Sequence, residues 1–188
     1  MPAGRLPVRT AAGGGKDEGR LFGLAFHRLM ELADFAAGTV PEPLARAAAE
    51  EFGLSSAEEL ARLAERTLGS KLLAEARSSG RAHREIPFTL VRGGAVVEGR
   101  IDLMYGSESG WRIVDYKTDD LPPGGIGARF DSYRGQGMLY ALAASRLTGE
   151  TVESVAFFFV RSGEIKEMRI TGELLERFEE ELSARSSG

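Results

Sequence analysis

Two carboxylates and one amine stand in a pattern that can do chemistry. Asp102 ends the run Glu98-Gly99-Arg100-Ile101-Asp102, and Asp115 and Lys117 lie in Ile113-Val114-Asp115-Tyr116-Lys117-Thr118. Both runs read as strands. Side chains alternate across a strand, so Asp115 and Lys117 share a face. A hairpin between the two strands brings Asp102 close to Asp115. Such a cluster is costly inside a protein unless each charge has a partner, and two adjacent carboxylates push one pKa upward. A divalent cation removes the conflict. A partial set of oxygen ligands suits Mg²⁺ or Mn²⁺, which polarises a phosphate oxygen and acidifies a bound water. Lys117 is then placed to orient the attacking water or to stabilise charge on phosphorus. An isolated Asp-x-Lys at a strand end is ordinarily a surface ion pair. It is the combination on adjacent apolar strands that points to a site. Removing Asp102 would take away a repelling charge, so the fold is expected to tolerate its loss.

Other residues add to the cluster or leave two readings open. His27 has Gly23 one helical turn before it and Glu31 one turn after. It is either a packing residue or an imidazole ligand of the kind transition metals take. Glu85, in Arg84-Glu85-Ile86-Pro87-Phe88, either joins the acidic cluster or pairs with an arginine. Tyr133, Gln136 and Tyr140 are spaced by three and four and share one helix face. They either hold a nucleotide by hydrogen bonding and stacking, or pack the helix on the sheet.

The elements that position these residues are legible from periodicity. Residues 1–19 are rich in Gly, Ala and Pro and read as a flexible linker, leaving 20–188 as one domain. Gly13-Gly14-Gly15-Lys16 is not a phosphate loop, because Asp17 stands where Ser or Thr is required. From Leu21 the apolar spacing is helical until Pro41 and Pro43 break it. A second helix is expected over about 42–51. A third is expected from Ser56, with Ser56 and Glu59 as a capping box, to about Arg77. Strands follow over 82–91, 95–105 and 111–117, joined through Gly93-Gly94 and through Ser107 to Gly110. A long helix over about 128–148 ends at Gly149. Strands over 152–160 and 164–170 and a helix over 172–184 complete the chain. This order predicts an α/β fold with a central mixed sheet flanked by helices.

Composition narrows the functional classes. With 188 residues and 43% hydrophobic content the chain can build a packed core. It has no cysteine, which excludes disulfides, thiolate zinc and cysteine-ligated iron–sulfur clusters. No apolar run is long enough to span a bilayer and no signal peptide is visible, so a cytoplasmic location is expected. The net charge of −4 argues against unaided DNA binding. DNA contact is expected from local basic residues, Arg81, Arg84, Arg92, Arg100, Arg129 and Arg134, or from a larger protein that contains this domain.

Taken together, Gly23-x-x-x-His27, Glu85-x-Pro87-Phe88, Gly99-Arg100-Ile101-Asp102, Val114-Asp115-Tyr116-Lys117-Thr118 and Tyr133-x-x-Gln136-x-x-x-Tyr140 resemble, in that order, the RecB-type nuclease domain of the PD-(D/E)XK superfamily. The resemblance covers roughly residues 21–170. It implies a restriction-endonuclease-like core with N-terminal helices and Mg²⁺- or Mn²⁺-dependent hydrolysis of DNA phosphodiesters. It implies an exonuclease of recombination and double-strand break repair, working with a helicase motor like those of RecB and AddA. By motif match, Asp102 and Asp115 are carboxylate ligands, His27 an imidazole ligand, the Tyr116 carbonyl a further ligand and Lys117 the catalytic lysine. Tyr133, Gln136 and Tyr140 match the part that shapes the site and holds DNA. Gly137 departs from the pattern, standing where a larger apolar residue is common. The competing expectation is a catalytically silent DNA-binding or assembly module of the same fold.

Overall fold

A computed structural model of the chain describes residues 15–92 and 95–185. Among them run, in order, α1 (Gly15–Leu32), α2 (Glu42–Glu51), α3 (Ala57–Leu68), α4 (Lys71–Ser78), β1 (Ala82–Arg92), β2 (Ala95–Ser107), β3 (Gly110–Lys117), α5 (Ile126–Thr148), β4 (Val152–Phe159), β5 (Glu164–Arg169) and α6 (Gly172–Arg185). The strands form one sheet in the order β1-β2-β3-β4-β5. Three of its four pairings are antiparallel, and β3 pairs with β4 in parallel. A parallel pair needs a crossover connection, and α5 supplies it.

The sheet is covered on both faces. On one side α1 to α4 pack Phe26, Leu29, Leu60, Leu63 and Leu73 against Leu103, Val114, Tyr116 and Phe158. On the other, α5 and α6 pack Met138, Tyr140, Ala141 and Phe178 against Ile101, Ile113, Phe157 and Phe159. The strand β3 is therefore buried on both faces, which is why its sequence is apolar at nearly every position except those that carry charge.

Three details differ from the sequence reading. The helix expected from Ser56 to Arg77 is two helices. Gly69 caps α3 with its N–H on the Glu65 carbonyl, and the Ser70 hydroxyl starts α4 by accepting from Leu73 N. The capping box at Ser56 is half made: Ser56 Oγ accepts from Glu59 N at 3.2 Å, but the Glu59 carboxylate goes to Arg161. Of the expected linker, Gly15 to Gly19 belong to α1, and residues 1–14 lie outside the described residues. So does the Gly93-Gly94 turn. Among the described residues no helix is long and apolar enough to cross a membrane.

Candidate active site

The site lies where regular alternation fails in two strands at once. In β1, Ala82 packs on the α1–α4 side and Arg84 bonds the Met30 and Ala33 carbonyls of the same side, yet Ile86 and Phe88 pack on the α5 side. In β2, Leu103 and Tyr105 face α1–α4 while Ile101 faces α5. Residues two apart share a face in a regular strand, so each strand changes sides once. The change falls between the register pairs Arg84–Leu103 and Ile86–Ile101, which leaves Glu85 opposite Asp102. Glu85 has φ 52°, the sole positive value at a non-glycine residue among those described. That left-handed backbone is uncommon for a residue with a Cβ. It turns the Glu85 carboxylate toward the neighbouring acids.

A second irregularity places Asp102. The β2–β3 ladder ends at Leu103–Val114, one step before Asp102 would pair with Asp115. Instead Asp102 Oδ2 accepts the Tyr116 backbone N–H at 2.8 Å, and Asp102 Oδ1 lies 3.1 Å from His27 Nδ1. Donor atoms of His27, Glu85 and Asp102 lie within 4.8 Å of one another, and this is the group of metal-ligating side chains that the described residues bring together. Helix α1 reaches the sheet here because Gly23 has no side chain: a Cβ there would stand 2.9 Å from Thr118 Oγ1.

Asp115 lies near enough to Asp102 and His27 to feel their charges, and one of its oxygens meets Lys117 on the α5 side. Its Oδ2 lies 2.6 Å from Lys117 Nζ, which also donates to Gln136 Oε1 at 2.8 Å and sits 3.9 Å from the centre of the Tyr133 ring. Gln136 Nε2 donates in turn to the Tyr140 hydroxyl at 2.6 Å. The lysine is thus held from three sides, by Asp115 and by two residues that share one face of α5. Tyr140 is buried edge-on against Phe88, and Tyr133 stacks on Phe157, so both rings are committed to the protein. The Tyr116 ring packs in the α1–α4 core and lies 6.3 Å from the His27 ring, centre to centre, while its backbone N–H meets Asp102.

The charges are unequal. Burial by itself would raise the Asp102 carboxyl, but His27, the Tyr116 N–H and Lys117 together hold it below the usual carboxylate range. Burial and the charge of Asp102 push Asp115 up, against the pull of Lys117. Burial and Asp102 also raise Glu85. Three neighbouring acids, two of them pushed upward, form a group that a divalent cation would relieve. An imidazole together with carboxylates is a donor set that divalent cations take.

Sequence reasoning missed several supports. Asp119 accepts from Arg129 Nε and from the Tyr133 hydroxyl, each at 2.8 Å, and so fixes the ring beneath Lys117. Arg161 donates to the Thr118 carbonyl at 3.1 Å, pairs with Glu59, and lies over Phe22 of α1. Neither contact leaves a local sequence signal. Of the basic residues expected near the site, Arg100 meets Glu85 and Arg129 meets Asp119. Arg81 instead lies over Trp111 and pairs with Glu150 at the opposite end of β3. Arg84 is committed to the Met30 and Ala33 carbonyls, and Arg134 pairs with Asp131. The Arg92 side chain lies outside the described residues.

The chain is similar in sequence to known proteins. The chain is 32% identical over 124 residues to an ATP-dependent helicase/nuclease subunit of Heliobacterium modesticaldum, covering 56% of this chain and 9% of that protein. It is 29% identical over 177 residues to the corresponding helicase/nuclease subunit of Carboxydothermus hydrogenoformans, covering 82% of this chain and 15% of that protein. A 68-residue stretch is 41% identical to the one from Desulforudis audaxviator, covering 36% of this chain and 6% of that protein. The chain thus spans a small fraction of the length of these relatives. The family model of the PD-(D/E)XK nuclease superfamily matches residues 5–187. The mixed sheet flanked by helices, with acids and a lysine on its central strands, is the fold of that superfamily, and the chain belongs to it.

Proposed function

We propose that the chain is a Mg²⁺- or Mn²⁺-dependent nuclease domain that hydrolyses DNA phosphodiester bonds. The observation that carries this reading is the convergence of His27, Glu85 and Asp102 within 4.8 Å, beside an Asp115–Lys117 pair on the next strand. His27, Asp102 and Asp115 hold the ion in this reading, with Glu85 and the Tyr116 carbonyl completing the set. An ion held there would supply polarisation of a phosphate oxygen and acidification of a water. Lys117 is the catalytic lysine. Its amine is fixed by Asp115, Gln136 and the Tyr133 ring, so it orients the water or meets developing charge at no cost in reorganisation. Tyr133, Gln136 and Tyr140 serve the substrate by holding that amine in place. Asp102, Asp115 and Lys117 are nearly buried, and retaining such charges without a use is expensive.

The relatives are named as helicase/nuclease subunits. By that similarity the domain acts as an exonuclease on DNA ends delivered by a helicase motor, in the same chain or a partner, during recombination and double-strand break repair in the cytoplasm. The test is to incubate the protein with linear and covalently closed duplex DNA, with Mg²⁺, with Mn²⁺ or with EDTA. Linear DNA should be degraded only with metal, and Asp115→Ala and Lys117→Ala should abolish it. Binding without cleavage under every metal would favour the silent DNA-binding module instead, and equal cutting of closed circles would remove the exonuclease assignment.

A further inference from the structure

We propose that Arg100 competes with the divalent cation for Glu85 and, once displaced, contacts a backbone phosphate of the DNA. The inference rests on the nuclease reading above and adds a residue and a coupling to it. Arg100 NH1 lies 3.4 Å from Glu85 Oε2 and 3.8 Å from Glu31 Oε1. Its side chain is 53% exposed, whereas that of Glu85 is 15% exposed. The guanidinium therefore sits on the solvent side of the His27–Glu85–Asp102 group.

The charges around Arg100 decide where its guanidinium turns when a cation binds. An ion held by Glu85 takes over that carboxylate and repels the guanidinium beside it. The remaining partner, Glu31, is shared: Arg28 NH1 already lies 3.0 Å from Glu31 Oε2, and Arg28 Nε is 3.7 Å from Glu51. Arg100 is left as an undercompensated cation at the mouth of the site. The anion that arrives there is a phosphodiester, and a planar guanidinium fork matches two phosphate oxygens as an ammonium does not. Ion binding thus releases a DNA contact. By linkage, DNA binding must strengthen ion binding to the same degree.

The experiment compares the parent protein, Arg100→Gln and Arg28→Gln. Arg28 lies on the same rim but has no contact with Glu85 among its described ion pairs. Mn²⁺ binding without DNA is measured by calorimetry. Arg100→Gln should bind Mn²⁺ about two- to fivefold more tightly, the range of an exposed ion pair removed from competition, while Arg28→Gln stays near the parent. Binding of a short duplex DNA is then followed against salt with Mn²⁺ present, in a Lys117→Ala background that limits cleavage. Arg100→Gln should weaken it and reduce the slope of log K against log salt by about 1. Mn²⁺ binding that is unchanged or weaker in Arg100→Gln overturns the proposal, as does an equal rise in Arg28→Gln or an unaltered salt slope. A parent protein that binds no Mn²⁺ overturns the nuclease reading, and this proposal with it.

Discussion

Glu85 stands opposite Asp102 at the one step where β1 and β2 both exchange faces, and it does so with φ 52°. The exchange lets two strands that serve two different cores contribute acids to the seam between them. Neither acid faces a core. Both border the gap into which α1 delivers His27. The strain and the repulsion are local, and the well-packed strands on either side sustain them.

Glu85→Gly should therefore stabilise the metal-free protein. Glycine adopts a positive φ without steric cost, and one of three neighbouring carboxylates is gone. Against this stands the larger backbone entropy glycine loses on folding. The balance is expected near ~1 kcal/mol in favour of the variant, read as a higher Tm in EDTA. Addition of Mn²⁺ should raise the Tm of the variant less than that of the parent. A lower Tm in EDTA would mean that the Arg100 contact outweighs the strain.

Asp102 behaves differently from what charge repulsion alone suggests. Its Oδ2 is the acceptor for the buried Tyr116 N–H. Asp102→Ala leaves that donor unpaired, at a cost of about 1–3 kcal/mol, so the gain from lost repulsion is offset or reversed. Asp102→Asn keeps an acceptor for Tyr116 while losing the charge. Both variants should lose Mn²⁺ binding and cleavage, but Asn should melt higher than Ala without metal. Equal melting of the two would show that the Tyr116 bond contributes little.

The parts of this molecule that follow simple periodicity could be read from its sequence. The extents of β2 and β3, the long helix with Gln136 and its Gly149 cap follow from local signals, whereas the change of faces at Asp102 does not. The placement of Asp115 and Lys117 on one face needs only alternation, whereas His27 as a ligand rests on the resemblance to the RecB-type nuclease domain, since a lone helical histidine reads equally as packing. Glu85 could not be placed that way, because a strand reading assumes the alternation that Glu85 breaks. Nor could Asp119 or Arg161, whose contacts join residues 14 and 43 positions apart through tertiary packing. Gly137, which departs from the family pattern beside Gln136, is explained by its surroundings. A Cβ there would stand 2.8 Å from Met168 Sδ and 3.1 Å from Phe157 Cζ, so α5 lies too close to β4 and β5 for a larger residue.

Gly23→Ala tests whether the approach of α1 sets the site. Within a helix, Ala gains about 1 kcal/mol over Gly. The clash with Thr118 Oγ1 costs a similar amount if the helix must shift. The Tm should therefore move little, while cleavage falls about tenfold or more because His27 is displaced from Asp102. Adding Thr118→Ala removes the obstructing atom and should restore most of the rate. Full activity in Gly23→Ala alone would show that Thr118 yields without moving the helix.

Tyr140→Phe tests the support of the lysine and of its partner Asp115, both of which the Tyr140 hydroxyl serves. The ring stays packed on Phe88, but Gln136 Nε2 loses its acceptor. Gln136 is then free to turn, and Lys117 loses one of its fixed partners. Single-turnover cleavage should slow about tenfold with DNA affinity within twofold of the parent. A loss of affinity at an unchanged rate would make the hydroxyl a substrate contact instead.

Glu167, on β5 away from the site, gives the acid side of stability. Burial alone would raise its carboxyl, but the hydrogen bonds from Ser154 Oγ and Arg112 NH2, each at 2.6 Å, bring it below its ordinary value of 4.5. A carboxylate whose folded pKa is depressed stabilises the fold at pH above its unfolded value, and that contribution fades as pH falls through the folded one. The group is partly exposed, so solvent screening keeps the effect small. Glu167→Gln should melt a few degrees below the parent at neutral pH, and the gap should begin to close below pH 4.5 and vanish once the parent's carboxyl is protonated. Thermal melts of both proteins across this range check the sign. A gap that widens in acid would mean the folded protein favours the protonated carboxyl, contrary to the bonds that Ser154 and Arg112 make with it.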